Sequence, residues 1–186
     1  MQVSDLLDCL EQNPVIAAVS DDAFEAALSS PAEVIFYLSA DLLTVSERIH
    51  QAHDAGKYIL IHIDLAVGIG KDRTGVQYLA NCGVDGLITT RGQMIRLAKE
   101  LNLVAVQRFF ALDSKGMESI EEMCHSTNPQ LIEIMPGVIG KAVARFSGGS
   151  IPVIAGGLIQ TKQEVMEALR CGATAISTGC QELWNI

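Results

Sequence analysis

Short apolar runs, each closed by a turn and followed by an amphipathic stretch, recur eight times along the chain. The runs are Val15–Val19, Val34–Leu38, Tyr58–Asp64, Gly86–Thr89, Leu103–Arg108, Leu131–Met135, Ile151–Ala155 and Thr174–Ser177. They are rich in Val and Ile and nearly unbroken in apolarity, which is how strands covered on both faces read. Between them the period lengthens. Leu42, Val45, Ile49 and Ala52 recur at helical spacing, and Gly56 follows as a C-terminal stop. Thr161-Lys-Gln-Glu164 reads as a capping box opening a helix that runs to about Cys171, with Gly172 after it. Ser4 is placed to cap a short leading helix.

Strands alternating with helices predict an α/β fold, a compact (β/α)8 barrel forming one domain over residues 1–186. Length is the strain on that reading. Such barrels commonly take about 250 residues, with about 200 at the low end. The helices must therefore be short, and few residues remain after Ser177 for a last one. An open doubly wound sheet is the other architecture the pattern allows.

In this fold the strands' C-terminal ends carry the chemistry. Strand parity then sorts the side chains. In Tyr58-Ile-Leu-Ile-His-Ile-Asp64 the three Ile residues share one face, while His62 and Asp64 share the other, toward the barrel mouth. In Leu103-Val-Ala-Val-Gln-Arg108, Val104 and Val106 are assigned to the helix side and Gln107 to the inside. In Leu131-Ile-Glu-Ile-Met135, Ile132 and Ile134 face helices and Glu133 points inward. His62, Asp64, Gln107 and Glu133 are thus expected at one mouth, as a ligand site or as a satisfied polar plug.

A second signal lies near the C-terminus. Ile154-Ala-Gly-Gly-Leu-Ile-Gln-Thr161 closes one strand with a glycine pair, and Ala175-Ile-Ser-Thr-Gly179 closes the next. Glycine lets backbone N–H groups approach an anion, and phosphate sites in barrels commonly use these last two loops. Gly156, Gly157, Leu158, Ser177, Thr178 and Gly179 are the expected phosphate contacts; a tight turn alone is the plainer reading of the glycine pair. Gly68-Ile-Gly-Lys-Asp72 lacks the spacing of a phosphate loop and reads as a mobile loop before a helix.

Charge and composition narrow the function. Hydrophobic residues make up 49% of the chain and charged residues 19%, which excludes an intrinsically disordered protein. No apolar run is long enough to span a bilayer, and the early acids of MQVSDLLDCLEQ do not make a signal peptide, so a cytoplasmic protein is expected. A formal charge of -9 argues against binding nucleic acid by bulk positive charge. Any such role needs a local patch, for which Arg91, Arg108, Lys141 and Arg145 are the candidates, against scattered solvated charges. The five cysteines form no C-x-x-C pair and read as reduced packing residues, with no metal and no cofactor expected. The sequence leaves the oligomeric state open, a homo-oligomer included.

Several segments together resemble the glycerol uptake operon antiterminator family. They are Pro14-Val-Ile-Ala-Ala-Val19, His62-Ile-Asp-Leu65 with Gly68 and Asp72, Asp85-Gly-Leu-Ile-Thr-Thr90, Gln107-Arg-Phe-Phe-Ala-Leu-Asp-Ser114, Glu133-Ile-Met-Pro-Gly137, Ala155-Gly-Gly-Leu-Ile159 and Ser177-Thr178. They occur in order from Pro14 to Trp184. The resemblance implies a cytoplasmic bacterial regulator with a barrel-like fold. It implies binding of glycerol 3-phosphate as effector, and then of the leader of a glycerol-catabolism mRNA, so that transcription passes a terminator. The family tends to read Ser-Thr-Ser where this chain has Ser177-Thr-Gly179, and Gly-Asp where it has Ala40-Asp41. On this reading the last two loops hold the phosphate, and Asp64, Glu133 and Gln107 bond the glycerol hydroxyls. The competing class is an enzyme of isomerase, aldolase or lyase type acting on a small phosphorylated metabolite.

Overall fold

The computed structural model describes residues 2–186. The chain runs α1 (Val3–Gln12), β1 (Val15–Val19), α2 (Phe24–Ser29), β2 (Val34–Tyr37), α3 (Val45–Asp54), β3 (Tyr58–His62), α4 (Arg73–Asn81) and β4 (Gly86–Thr89). It continues through α5 (Gly92–Glu100), β5 (Val104–Phe110), α6 (Ser114–Thr127), β6 (Leu131–Met135), α7 (Gly140–Ser147), β7 (Val153–Gly156), α8 (Lys162–Arg170) and β8 (Ala175–Thr178). The eight strands close in sequence order, all parallel, into a barrel. β8 completes it against β1, with Val15 opposite Ile176 and Ile16 opposite Ser177. The expected (β/α)8 barrel is therefore the fold, and the open sheet is not.

Economy in the connections resolves the strain of length. α2 has six residues, and only α6 reaches fourteen. No full helix follows β8. A 3-10 turn over Gln181–Asn185 takes its place, and buried Trp184 ties it back by donating its Nε1–H to the Thr178 carbonyl at 2.9 Å. α1 does the opposite work at the other end. Leu6 and Leu10 are fully buried and join the barrel's interior cluster with Ile16, Phe36, Leu60 and Leu131. This helix closes the barrel on the side where the strands begin. Its N-terminus is held by Asp5, which accepts the Gln2 N–H at 2.8 Å, rather than by Ser4.

Two apolar layers result, and they test the parity of each strand. Ile59, Ile61 and Ile63, and likewise Ile132 and Ile134, pack outward under the helices. β5 is in the opposite phase to the expected one. Val104 and Val106 lie in the barrel interior, whereas Ala105 and Phe109 pack beneath the helices. A strand apolar at nearly every position offers no alternation from which to read its phase. All five cysteines are free thiols. Burial, with Glu33 beside it, pushes the Cys9 thiol up to about 12, and burial pushes Cys124 to about 11, so neither is a ready nucleophile.

Candidate functional site

The C-terminal ends of β5, β6, β7 and β8, with Ala18 of β1 and Leu38 just after β2, line a cleft of about 650 Å³, within the ordinary range for small-molecule sites. Arg108, Glu133, Met135, Gly157, Leu158, Ser177, Thr178 and Gly179 are among its walls. The register explains the floor. Arg108 of β5 stands directly opposite Glu133 of β6, and neighbouring register positions of a parallel pair face the same way. Arg108 Nε donates to Glu133 Oε2 at 2.5 Å, and Ser177 Oγ of β8 donates to Glu133 Oε1, also at 2.5 Å. Three strands thus meet in one buried chain of charge-assisted hydrogen bonds. Glu133 is fully buried and Arg108 is 8% exposed, so removing one partner alone would cost about 3–5 kcal/mol.

This geometry corrects two expectations. Gln107 does not point inward. It shares the outward face of β5, where its Oε1 accepts the Thr127 hydroxyl of α6 at 2.6 Å, and its Nε2 is buried without a partner among the described residues. Arg108, expected on an RNA-binding surface, is instead committed to the cleft floor. The signal that would have placed it was available: an inward Glu on β6 calls for a cation at the facing position on β5.

The other two mouth candidates have separate duties. Asp64 lies in a 3-10 turn, Ile63–Leu65, just beyond β3. It accepts the Thr89 hydroxyl at 2.8 Å, the Thr90 N–H at 2.7 Å and the Thr90 hydroxyl at 2.9 Å, with Arg91 Nε 3.6 Å away. Burial pushes its carboxyl upward, but these three bonds together outweigh it and leave the pKa below the usual carboxylate value. Asp64 is therefore a clasp on the β4–α5 loop and does not line the cleft. His62 is inside the barrel and 4% exposed, and its Nδ1 has no partner among the described residues. Burial first, and then the Arg108 charge, depress its pKa, which keeps the ring neutral.

The glycines of the last loops divide by role. A Cβ on Gly156 would strike Glu133 Oε1 and come within 2.7 Å of Ser177 Oγ. Gly156 therefore makes room for the polar chain, and it is not a cleft wall. Gly157 and Leu158 both have positive φ, 76° and 63°, which turns this loop sharply over the cleft. Among the described residues, the N–H groups of Gly157, Leu158 and Gly179 donate to no protein acceptor. The Ser177 and Thr178 hydroxyls are already spent as donors, Ser177 on Glu133 and Thr178 on the Ile159 carbonyl at 2.7 Å. Both residues also lie in β8, paired with β1 and β7, so the uncommitted amides of these loops are those of Gly157, Leu158 and Gly179.

The four cations sit in different settings, Arg108 being buried in the cleft floor. Arg91 is exposed in the β4–α5 loop, Lys141 is exposed on α7, and Arg145 of α7 is held 2.7 Å from Glu121. The Gly68–Asp72 loop carries its own hydrogen bonds. Lys71 Nζ donates to the Ala66 and Ile69 carbonyls, and the Asp72 carboxylate caps α4 by accepting the Gly75 N–H at 2.9 Å. Among the described residues no group of three or more His, Cys, Asp or Glu is gathered as for a metal ion. Among the same residues no helix is long and apolar enough to cross a membrane.

A closed parallel barrel with a polar cleft at the mouth, floored by a buried Arg–Glu–Ser chain and roofed by the last two loops, defines the class. Within it, residues 15–184 match the family model described as the glycerol-3-phosphate responsive antiterminator, and the chain belongs to that family. The glycerol uptake operon antiterminator regulatory protein from Listeria monocytogenes str. 4b F2365 is 31% identical with a TM-score of 0.87, covering 92% of this chain and 95% of that one. A glycerol uptake operon antiterminator-related protein from Thermotoga maritima MSB8 is 31% identical with a TM-score of 0.83, covering 91% and 96%. The uncharacterized protein YgcP of Escherichia coli (strain K12) is 33% identical over 184 residues, 97% of this chain and 96% of its own. Aldolase barrels also superpose, at identities that speak to the fold alone. The family is one of regulators.

Proposed function

We propose that this chain is a cytoplasmic, glycerol-3-phosphate-responsive transcription antiterminator that binds the leader mRNA of glycerol-catabolism genes. The observation that carries the reading is the cleft, where three uncommitted N–H groups, of Gly157, Leu158 and Gly179, sit on walls shared with Arg108 and Glu133. Free amides on a sharp turn suit a phosphate, and a short uncharged polyol suits the space beside them. Family membership supports the effector and the RNA target. The enzyme reading is weaker, because no lysine lines the cleft to supply an amine for Schiff-base chemistry. For RNA, with Arg108 assigned to the cleft and the exposed Arg145 paired with Glu121, Arg91 and Lys141 are the candidate cations carried forward.

The test is calorimetry with glycerol 3-phosphate, followed by leader-RNA binding with and without it. Gly179→Val is the informative variant. A Cβ there stays 3.4 Å from the Ala18 carbonyl and the φ is not left-handed, so the fold tolerates the change while the cleft wall thickens. Gly157→Val is less clean, since its φ of 76° adds backbone strain. Folded Gly179→Val is expected to lose at least about tenfold in affinity, the value of one charge-assisted hydrogen bond. Leader RNA is expected to bind only with the effector present, and Arg91→Ala/Lys141→Ala to lower the salt slope by about two. RNA binding indifferent to glycerol 3-phosphate would overturn the regulatory reading, and turnover of the compound would favour the enzyme.

A further inference from the structure

We propose that Arg108 is the cation that anchors the phosphate in this cleft, and that Glu133 and Ser177 are positioning residues that aim its guanidinium. The ligand class is then a phosphomonoester whose remainder is small and uncharged. This rests on the ligand-binding half of the function proposed above, and goes beyond it by naming the charged contact and how it is held.

The argument starts from the way the guanidinium is used. Only its Nε is committed within the protein, to Glu133 Oε2. The two terminal nitrogens donate to no protein group among the described residues, yet they are not among the fully buried orphan atoms. They therefore open on the one space Arg108 lines, the cleft. A side chain 8% exposed, always charged, with its planar fork facing a cavity, has the geometry that takes two phosphate oxygens at once. The same cavity is lined by Gly157, Leu158 and Gly179, whose N–H groups are uncommitted among the described residues.

The neighbours fit the same assignment. Glu133 is fully buried with both oxygens engaged, so it is poorly placed to serve as the main acceptor for ligand hydroxyls. Its charge offsets that of Arg108, which makes the cation tolerable before ligand arrives. Ser177 fixes the carboxylate from the other side, and Gly156 leaves the room that this contact requires. The neutral His62 adds no competing positive charge beside Arg108. The other carboxylate on the cleft wall is Glu182, exposed at the rim. Two carboxylates around one cation disfavour a ligand that carries a second anionic group.

Affinities for glycerol 3-phosphate, inorganic phosphate, 3-phosphoglycerate and glycerol are measured by calorimetry on the full chain, with circular dichroism as the folding control. The parent is expected to bind glycerol 3-phosphate best, inorganic phosphate more weakly, and 3-phosphoglycerate and glycerol least. Arg108→Gln is expected to lose about 10- to 100-fold for both favoured ligands, and most of the salt dependence. Arg108→Lys keeps the charge without the fork, folds if Arg108→Gln does not, and is expected to fall between. Glu133→Gln is expected to weaken the parent by less than Arg108→Gln does, and to add nothing in an Arg108→Gln background, because it acts through that side chain. Parent-like affinity in folded Arg108→Lys and Arg108→Gln would overturn the assignment while leaving the regulatory reading intact. A full additive loss from Glu133→Gln would overturn its positioning role. A parent that binds no phosphomonoester would overturn the ligand reading itself.

Discussion

His62 shows how one buried side chain becomes a measurable property. Its ring has an unpartnered Nδ1, and burial together with the Arg108 charge depresses its pKa below the usual 6.5. Folding therefore resists protonation there. The resulting stability is fully present above about pH 6.5 and is lost as pH falls through the lower folded pKa. The slope is at most about 1.4 kcal/mol per pH unit from this group. Melting temperatures of the parent and His62→Gln between pH 7.5 and 5 are expected to show a shallower acid limb in the variant. Parallel curves would mean that the ring is not the acid-sensitive group. Asp64 is the opposite case, a carboxyl held down by three donors and so stabilising above its ordinary range and lost only in stronger acid.

Elements differ in what holds them. α8 opens with a capping box: Thr161 Oγ1 accepts the Glu164 N–H at 3.2 Å, and Glu164 accepts the Thr161 N–H at 2.9 Å. α1 is held by burial, with Leu6 and Leu10 closing the barrel floor. The two mechanisms predict different magnitudes. Thr161→Ala is expected to cost about 1 kcal/mol, and Leu10→Ala about 2–5 kcal/mol, because the second leaves a cavity. Urea denaturation of the two variants checks the ranking. Equal losses would mean that α1 is not needed to seal the barrel. The capping box was legible in four residues because its geometry is local. The sealing role of α1 was not, since it depends on strands far along the chain.

At the scale of the whole molecule, ligand and fold are linked by mass action. An effector that binds only the folded barrel at 100 times its Kd adds about 2.7 kcal/mol. For a chain of this size that is roughly 5–11 °C in melting temperature. Glycerol 3-phosphate is expected to produce such a rise and glycerol is not, read by a thermal scan at matched ionic strength. No rise at saturating concentration would count against the cleft as the effector site. The molecule's charge of -9 makes this a site at which the cation has to be local and buried, since the surface as a whole repels anions.

The chain's own pattern determined the eight strands, the barrel, most strand faces and the two glycine-bearing loops, because hydrophobic period and turn chemistry are written within a few residues of each other. It also placed Glu133 correctly, since a lone acid in Leu131–Met135 shows its phase against four apolar neighbours. Only the tertiary structure decided the phase of β5. Residues 103 to 106 are apolar throughout, so whether Gln107 or Arg108 enters the barrel follows from pairing with β6 and from the Thr127 hydroxyl of α6, which donates to the Gln107 amide oxygen. The same holds for Asp64, whose partners Thr89 and Thr90 lie 25 and 26 residues away. Contacts across strands are set by register, and register is a property of the closed barrel rather than of any one segment.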